Sequence, residues 1–395
     1  METTAAFAGL VCTDCGERFD AETAPGRCPD CDGILDPDYD YETLELTRET
    51  LSGGGSGLWR YEPLLPFPES VAVTIDEGST PLVEAPALAE EMGVGAVYIK
   101  DEGRNTTGTF KDRGQALAVT AARLHGATDV ALATAGNAGQ AASAYAARAG
   151  LDSHVFVPSR ASFVNKAMIN VHGGDMTVVE GRIDDAGAAY EAAMADEEWH
   201  SVKTFVTPYR HEGKKTMLYE TVEQLDWSVP DHVVYPTGGG VGLVGMHKAA
   251  TELRKLGLTD ELPAMWAAQS EGCAPIVEAF EAGRDRHEPW EVPDTICGGI
   301  EIPDPGASPL ILEALRTSDG GAVATSDDAI LDAALTVAKQ EGVEMGVTCS
   351  AAASGAMALA DRDAFGPDDT VVLLNTGAGS KDADVIRSHL MSKGI

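Results

Sequence analysis

Between Ala96 and Asn375 short apolar runs alternate with helical ones, and that alternation leaves few folds open. The stretches 96–100, 130–134, 154–157, 176–179, 233–235, 265–270 and 371–375 read as strands, and 112–124, 138–149, 184–195, 243–256 and 329–340 read as helices. Strands separated by helices build parallel βαβ units, because a parallel partner can be reached only by a crossover long enough to hold a helix. The expected fold class is therefore α/β. With 395 residues, 44% of them hydrophobic, the chain is long enough for two or more domains. The segment 119–207 holds several such units and is expected to form a small sheet of its own. Segments 49–118 and 208–395 would form a larger α/β body, and residues 1–48 a cysteine-bearing ribbon. Leu51-Ser-Gly-Gly-Gly-Ser-Gly57 reads as a flexible linker by composition, with Trp59-Arg-Tyr61 as the anchor beyond it. No internal repeat is present.

Two loops carry the chemistry. Lys111 sits in a polar, glycine-punctuated run (Gly103 to Gly114) just where a helical pattern begins. The positive end of a helix dipole favours the neutral, nucleophilic form of a lysine over its ammonium. A surface lysine paired with Asp112 is the competing reading. Far along the chain, Thr237-Gly-Gly-Gly-Val-Gly242 lies between an apolar run and a helical one, a turn whose N–H groups can wrap a phosphate that side chains would obstruct. A reactive lysine plus a phosphate cup implies pyridoxal phosphate.

From Glu77 to the C-terminus the chain resembles the threonine synthases among the tryptophan-synthase-β-like (fold type II) pyridoxal-phosphate enzymes. The resemblance rests on ordered motifs: Glu77-Gly-Ser-Thr-Pro-Leu82, Lys100-Asp-Glu-Gly103, Thr109-Phe-Lys-Asp-Arg113, Thr134-Ala-Gly-Asn-Ala138, Tyr209-Arg-His-Glu-Gly-Lys-Lys-Thr216, Pro236 to Gly242, Gln269 to Pro275, and Asn375-Thr-Gly377. It implies two doubly wound parallel-sheet domains with a small N-terminal zinc ribbon.

The resemblance also implies roles. Lys111 would hold the cofactor covalently and, once the substrate displaces it, shuttle protons. Asn137 would reach the ring hydroxyl oxygen, although a helix cap is the plainer use of an asparagine there. Gly238, Gly239, Gly240, Val241 and Gly242 would cradle the cofactor phosphate, and Thr376 would bond the ring nitrogen. A hydroxyl in that place leaves the nitrogen largely unprotonated. Thr134, Ala135 and Gly136 would bind a substrate carboxylate. The implied reaction is a carbon–oxygen lyase reaction on a phosphate ester, O-phospho-L-homoserine and water giving L-threonine and phosphate. A second anion site is then required, for which Lys100, Arg160, Lys166 and Arg182 are the candidates. Pro158-Ser-Arg-Ala-Ser-Phe-Val-Asn-Lys166 and Thr348-Cys-Ser-Ala351 depart from the usual family pattern, at walls expected to face substrate and cofactor.

Other readings remain. A cysteate synthase or a threonine or serine dehydratase would keep Lys111, Asn137 and the glycine loop and change the anion site. Gly240-x-Gly242-x-x-Gly245 matches the dinucleotide fingerprint literally, but no acidic residue follows cleanly about 20 positions on, and Lys111 would have no task. His211-Glu212 lacks the second histidine of a zinc protease motif.

Cys12-x-x-Cys15 and Cys28-x-x-Cys31 are spaced as two zinc knuckles, four thiolates around one structural ion; two disulfides or a redox pair are the alternatives. The 63 acidic against 28 basic residues give a net charge of −35, which repels nucleic acid and anionic membrane surfaces. Because the acids are scattered, they suit a solvated surface in a salty cytoplasm. No signal peptide or membrane span is expected, so the chain is placed in the cytoplasm as an enzyme for a small amino-acid substrate, with a homodimer as the candidate assembly.

Overall fold

Val130 to Leu132 and Val155 to Val157 are buried without alternation, the pattern of strands covered by helices on both faces. The computed structural model describes residues 1–23 and 26–393. Its strands, numbered along the chain, are β1 (Phe7–Cys12), β2 (Arg18–Phe19), β3 (Leu35–Tyr39), β4 (Leu82–Glu84), β5 (Ala96–Asp101), β6 (Asp129–Ala133), β7 (Asp152–Pro158), β8 (Asp175–Val179), β9 (His200–Ser201), β10 (His232–Pro236), β11 (Ala264–Ser270), β12 (Gly321–Thr325) and β13 (Thr370–Asn375).

The chain divides into two units. The first comprises Met1–Ser79, Asn105–Thr107 and Lys111–Thr216. It holds an antiparallel sheet in the order β2-β1-β3 and a parallel sheet in the order β8-β7-β6-β9. The helices Lys111–Leu124, Asn137–Ala149, Phe163–Val171 and Ile183–Met194 belong to it. Gly139 shows how tightly the second of these lies on the sheet: a Cβ there would stand 2.6 Å from Val155 Cγ1.

The second unit comprises Thr80–Arg104, Gly108–Phe110 and Met217–Ile395. Its sheet runs β12-β11-β10-β13-β5-β4, parallel except for β4 at the edge. Both units are α/β, as expected. The helix Arg210–Gln224 crosses the division between them.

The division differs from the sequence expectation, since residues 1–79, 105–107, 111–118 and 208–216 fall in the first unit with the small sheet. The ribbon and the following segment pack with the small sheet, because Leu10, Leu35, Leu58, Trp59, Leu65 and Phe67 share one buried cluster with Val130 and Leu132. Each such apolar side chain contributes about 1.5–3 kcal/mol on burial, which holds the segment to this core. The expected linker is likewise structured. Its first residues close the helix Arg48–Ser52, capped by Thr47, with Leu51 buried. Its last, Gly57, takes φ +69° against Glu77, and Leu58 N–H donates to Glu77 O at 2.9 Å. Trp59 is the anchor expected, its Nε1 donating to Glu77 Oε1 at 2.6 Å.

Candidate active site

In the second unit the glycine loop and Thr376 follow neighbouring strands. β10 and β13 pair in parallel, Val233 opposite Val372, so residues 237–242 and 376 leave the sheet side by side at its carboxyl edge. Here the strand order reverses direction, the place where doubly wound sheets bind ligands. Thr237 N–H donates to Ala268 O at 2.7 Å and Gln269 Nε2 to Thr237 O at 3.0 Å, which pins the start of the loop. Gly240, at φ +72°, caps the helix Val241–Lys255, and a side chain there would overlap Ile311. Gly242 packs against the Tyr235 ring, while a Cβ on Gly239 would meet nothing within 4 Å. The first helical N–H groups have no intrahelical acceptor, so the loop offers donors and open space to an anion.

Thr376 is buried, and its carbonyl accepts from Phe110 N–H at 3.0 Å. Gly108 O accepts from Ala378 N–H at 2.9 Å, and Thr109 forms a bridge with Gly377. This short stitch ties the residue before Lys111 to the end of β13.

Lys111 opens its helix half-buried, and Asp112 to Ala122 behind it are all buried. The Asp112 carboxylate accepts from Thr107 N–H at 2.7 Å and from the Thr107 hydroxyl. Burial pushes Asp112 up to about 6, against the lowering effect of those hydrogen bonds.

The carboxyl edge of the small sheet carries the remaining candidates in the strand order. Arg182 follows β8, Arg160 and Lys166 follow β7, Thr134 to Asn137 follow β6, and residues 202–210 follow β9. Asn137 begins its helix with a buried Oδ1 that has no hydrogen-bond partner. Within the 134–137 loop, Gly136 N–H donates to Thr134 Oγ1 at 3.0 Å and Thr134 N–H to Phe156 O at 3.0 Å. Two of the three expected N–H donors are thus committed within the fold, leaving the Thr134 hydroxyl proton and Ala135 N–H for a carboxylate.

The structure corrects Lys100. Its ammonium is fully buried, donating to Glu220 Oε2 at 2.8 Å, Thr80 O at 2.8 Å and Gln224 Oε1 at 2.9 Å. An ammonium has three protons, so Lys100 belongs to the core of the second unit and has none left for a substrate anion. Lys166 is half-buried and donates to Ser159 O at 2.9 Å; Arg160 is exposed; Arg182, at the N-cap position of its helix, is two strands from the Thr134 loop.

Three further buried polar residues follow strands of the small sheet and were not singled out from sequence. Asn165 is buried so close to Gly136 that a Cβ there would meet its Nδ2 at 2.7 Å, and its Oδ1 has no partner. Arg210, 1% exposed, and Thr207, a buried hydroxyl without a partner, follow β9, the strand beside β6. A buried arginine in a chain so poor in basic residues was the available signal.

In the ribbon, Cys12 Sγ lies 3.5 Å from Cys31 Sγ and Cys15 Sγ 3.7 Å from Cys28 Sγ. All four sulfurs fall within 4.8 Å of one another. Tetrahedral coordination at ~2.3 Å requires sulfurs about 3.8 Å apart, so the set fits zinc. A Cβ on Gly33 would collide with Cys12 Sγ at 2.5 Å.

The profile of the pyridoxal-phosphate dependent enzymes matches residues 73–377. Threonine synthase of Methanosarcina acetivorans is 36% identical over 378 residues, covering 95% of this chain and 93% of that protein. Threonine synthase of Methanocaldococcus jannaschii is 34% identical over 377 residues, with 94% and 93% covered. The chain belongs to the threonine synthase family. This member of the threonine synthase family shares its fold with solved structures at lower identity. Processed threonine deaminase isoform 2 of Solanum lycopersicum superposes with a TM-score of 0.68 at 20% identity, over 80% of this chain and 83% of that one. Diaminopropionate ammonia lyase of Escherichia coli superposes with a TM-score of 0.70 at 18% identity, over 81% and 89%. The second unit carries residues that fit the cofactor of the threonine synthase family, an open glycine loop on a helix N-terminus beside a buried hydroxyl at Thr376. Among the described residues no helix is long and apolar enough to cross a membrane.

Proposed function

We propose that the chain converts O-phospho-L-homoserine and water to L-threonine and phosphate. The observation that carries this reading is the likeness to curated threonine synthases over almost the whole chain. When bound, pyridoxal phosphate supplies a covalent partner for the substrate amine and a sink for the electrons of its α-carbon. The chain's own groups do the rest. Lys111 Nζ would take the α-proton and then one from the β-carbon as phosphate leaves the γ-carbon; it would return one proton to the γ-carbon, making the methyl group, and one to the α-carbon, while water adds its hydroxyl at the β-carbon and its remaining proton leaves with the phosphate. The Thr376 hydroxyl would donate to the ring nitrogen and Asn137 Nδ2 to the ring hydroxyl oxygen, and the N–H groups of Gly238, Gly239, Gly240, Val241 and Gly242 would hold the cofactor phosphate. The Thr134 hydroxyl and Ala135 N–H receive the substrate carboxylate. Arg210 and Thr207 join Arg160, Lys166 and Arg182 as the groups facing the substrate phosphate, with the buried Arg210 the strongest of them.

A structural zinc in the ribbon and a salty cytoplasm complete the reading. Four convergent sulfurs support the first, and 63 acids against 28 bases the second. Phosphate release from O-phosphohomoserine, O-phosphoserine and buffer alone, with deamination of serine and threonine alongside, tests the proposal. Release from O-phosphohomoserine with threonine formed in equal amount is the expected outcome. Turnover of O-phosphoserine or serine in its place would assign the chain to a different activity of the same cofactor.

A further inference from the structure

The ribbon grips the segment 205–215 at both ends. Arg27, the residue before Cys28, donates through Nη1 to Phe205 O at 3.3 Å and through Nε to Asp32 O at 2.7 Å. Asp32 N–H in turn donates to Cys28 O at 2.8 Å, closing the second knuckle. At the other end, β3 presents two acceptor–donor pairs to the head of the helix Arg210–Gln224. Asp36 Oδ1 lies 2.7 Å from His211 Nε2, and Tyr39 donates its hydroxyl to Glu212 Oε2 at 2.5 Å. The Lys215 ammonium sits 2.6 Å from the same Glu212 oxygen and 4.3 Å from the Tyr39 ring centre, supplying the charge that this buried carboxylate needs. Phe205, held at φ +57°, lies against the His211 ring at 5.8 Å. Between these two grips stand Thr207, whose buried hydroxyl has no partner, and Arg210.

We propose that the ribbon is a positioning element for Thr207 and Arg210, so that metal in the thiolate cluster governs affinity for an anionic substrate. Asp36 and Tyr39 are the positioning residues, acting through His211 and Glu212. The inference rests on the reading of Thr207 and Arg210 as groups that face the substrate phosphate. Its physical basis is twofold. Metal would cross-link the knuckle after β1 to the second knuckle, which β3 follows, so metal loss loosens β3 and the second knuckle together while Leu10 and Leu35 keep their apolar packing. A contact group displaced by ~1 Å can lose about 100-fold in productive binding.

The experiment compares the zinc-loaded holoenzyme with Tyr39→Phe, with Asp36→Asn plus Tyr39→Phe, and with wild type after zinc removal by a chelator. Steady-state kinetics on O-phosphohomoserine are read beside amide hydrogen exchange over residues 205–212 and cofactor absorbance. The expected result is a KM raised about tenfold in the double variant and after zinc removal, with kcat and cofactor absorbance within about twofold of wild type. Exchange over 205–212 should rise in the same two samples, and Tyr39→Phe alone should fall between. Unchanged exchange and unchanged KM in the double variant overturn the proposal. Should wild type release no phosphate from O-phosphohomoserine, the functional reading fails on its own, and unchanged exchange over 205–212 in the double variant overturns the coupling independently.

Discussion

The Cys349 thiol lies 3.2 Å from the Thr376 hydroxyl and 3.5 Å from Gly377 O. Burial pushes the thiol up to about 12, so at neutral pH it is a protonated, weak donor. Because the Thr376 backbone is fixed by Phe110, the sulfur is the group that sets which way the hydroxyl points.

Replacing Cys349 with alanine should therefore leave Thr376 free to rotate, shift the absorbance of bound cofactor and weaken its binding about tenfold or less, in the range of one lost hydrogen bond. Cys349→Ser should restore most of both. Identical spectra and cofactor titrations for the alanine variant and wild type would show that the sulfur has no such role.

Lys111→Ala should abolish both turnover and the covalent link trapped by borohydride, since the amine at the head of that helix is the one assigned to the cofactor. Peptide mapping of the reduced wild-type protein checks it. A label on another lysine contradicts the assignment.

The elements that carry the candidate residues were legible from residue type and order. Lys111, Asn137, the glycine loop and Thr376 each follow or open an element whose period was readable, and the structure places them at strand ends and helix heads. What could not be read was which cations point inward. Lys100 and Lys166 looked alike in the sequence, yet one is spent on Glu220 deep in a core and the other is half-buried beside Ser159. Partners 120 residues apart leave no local pattern. The glycine-rich stretch 51–57 failed for a related reason: composition reports flexibility, while Leu51, Leu58 and Trp59 are buried by tertiary packing.

Arg210→Gln should raise KM for O-phosphohomoserine on the order of 100-fold, and Lys166→Ala by about tenfold, with cofactor binding preserved in both. The ranking follows burial, Arg210 being 1% exposed and Lys166 half-buried. A larger effect at Lys166 would reverse the assignment of the principal phosphate contact.

Asp112 gives a pH signature. Its folded value of about 6 lies above the 3.8 of an ordinary aspartate, so the native state takes up this proton first. The resulting stabilisation is present below about pH 4 and is lost as pH rises through 6, a span worth up to about 3 kcal/mol. Asp112→Asn should flatten that part of the stability profile measured by urea unfolding. A slope in the variant equal to that of wild type would assign it to other groups.

The acidic surface should make stability depend on salt. Screening shortens from about 10 Å at 0.1 M to about 3 Å at 1 M, so the thermal midpoint should rise across that range. A midpoint that stays level or falls would contradict the reading of the charge.

The buried Lys100–Glu220 pair has a consequence for how the sequence can drift. Removing one partner strands the other charge in the core and costs about 3–5 kcal/mol, whereas exchanging both for apolar residues can be nearly neutral. Each position thus locks the other, and any lineage that escapes the pair must cross a steep intermediate or change both codons nearly together.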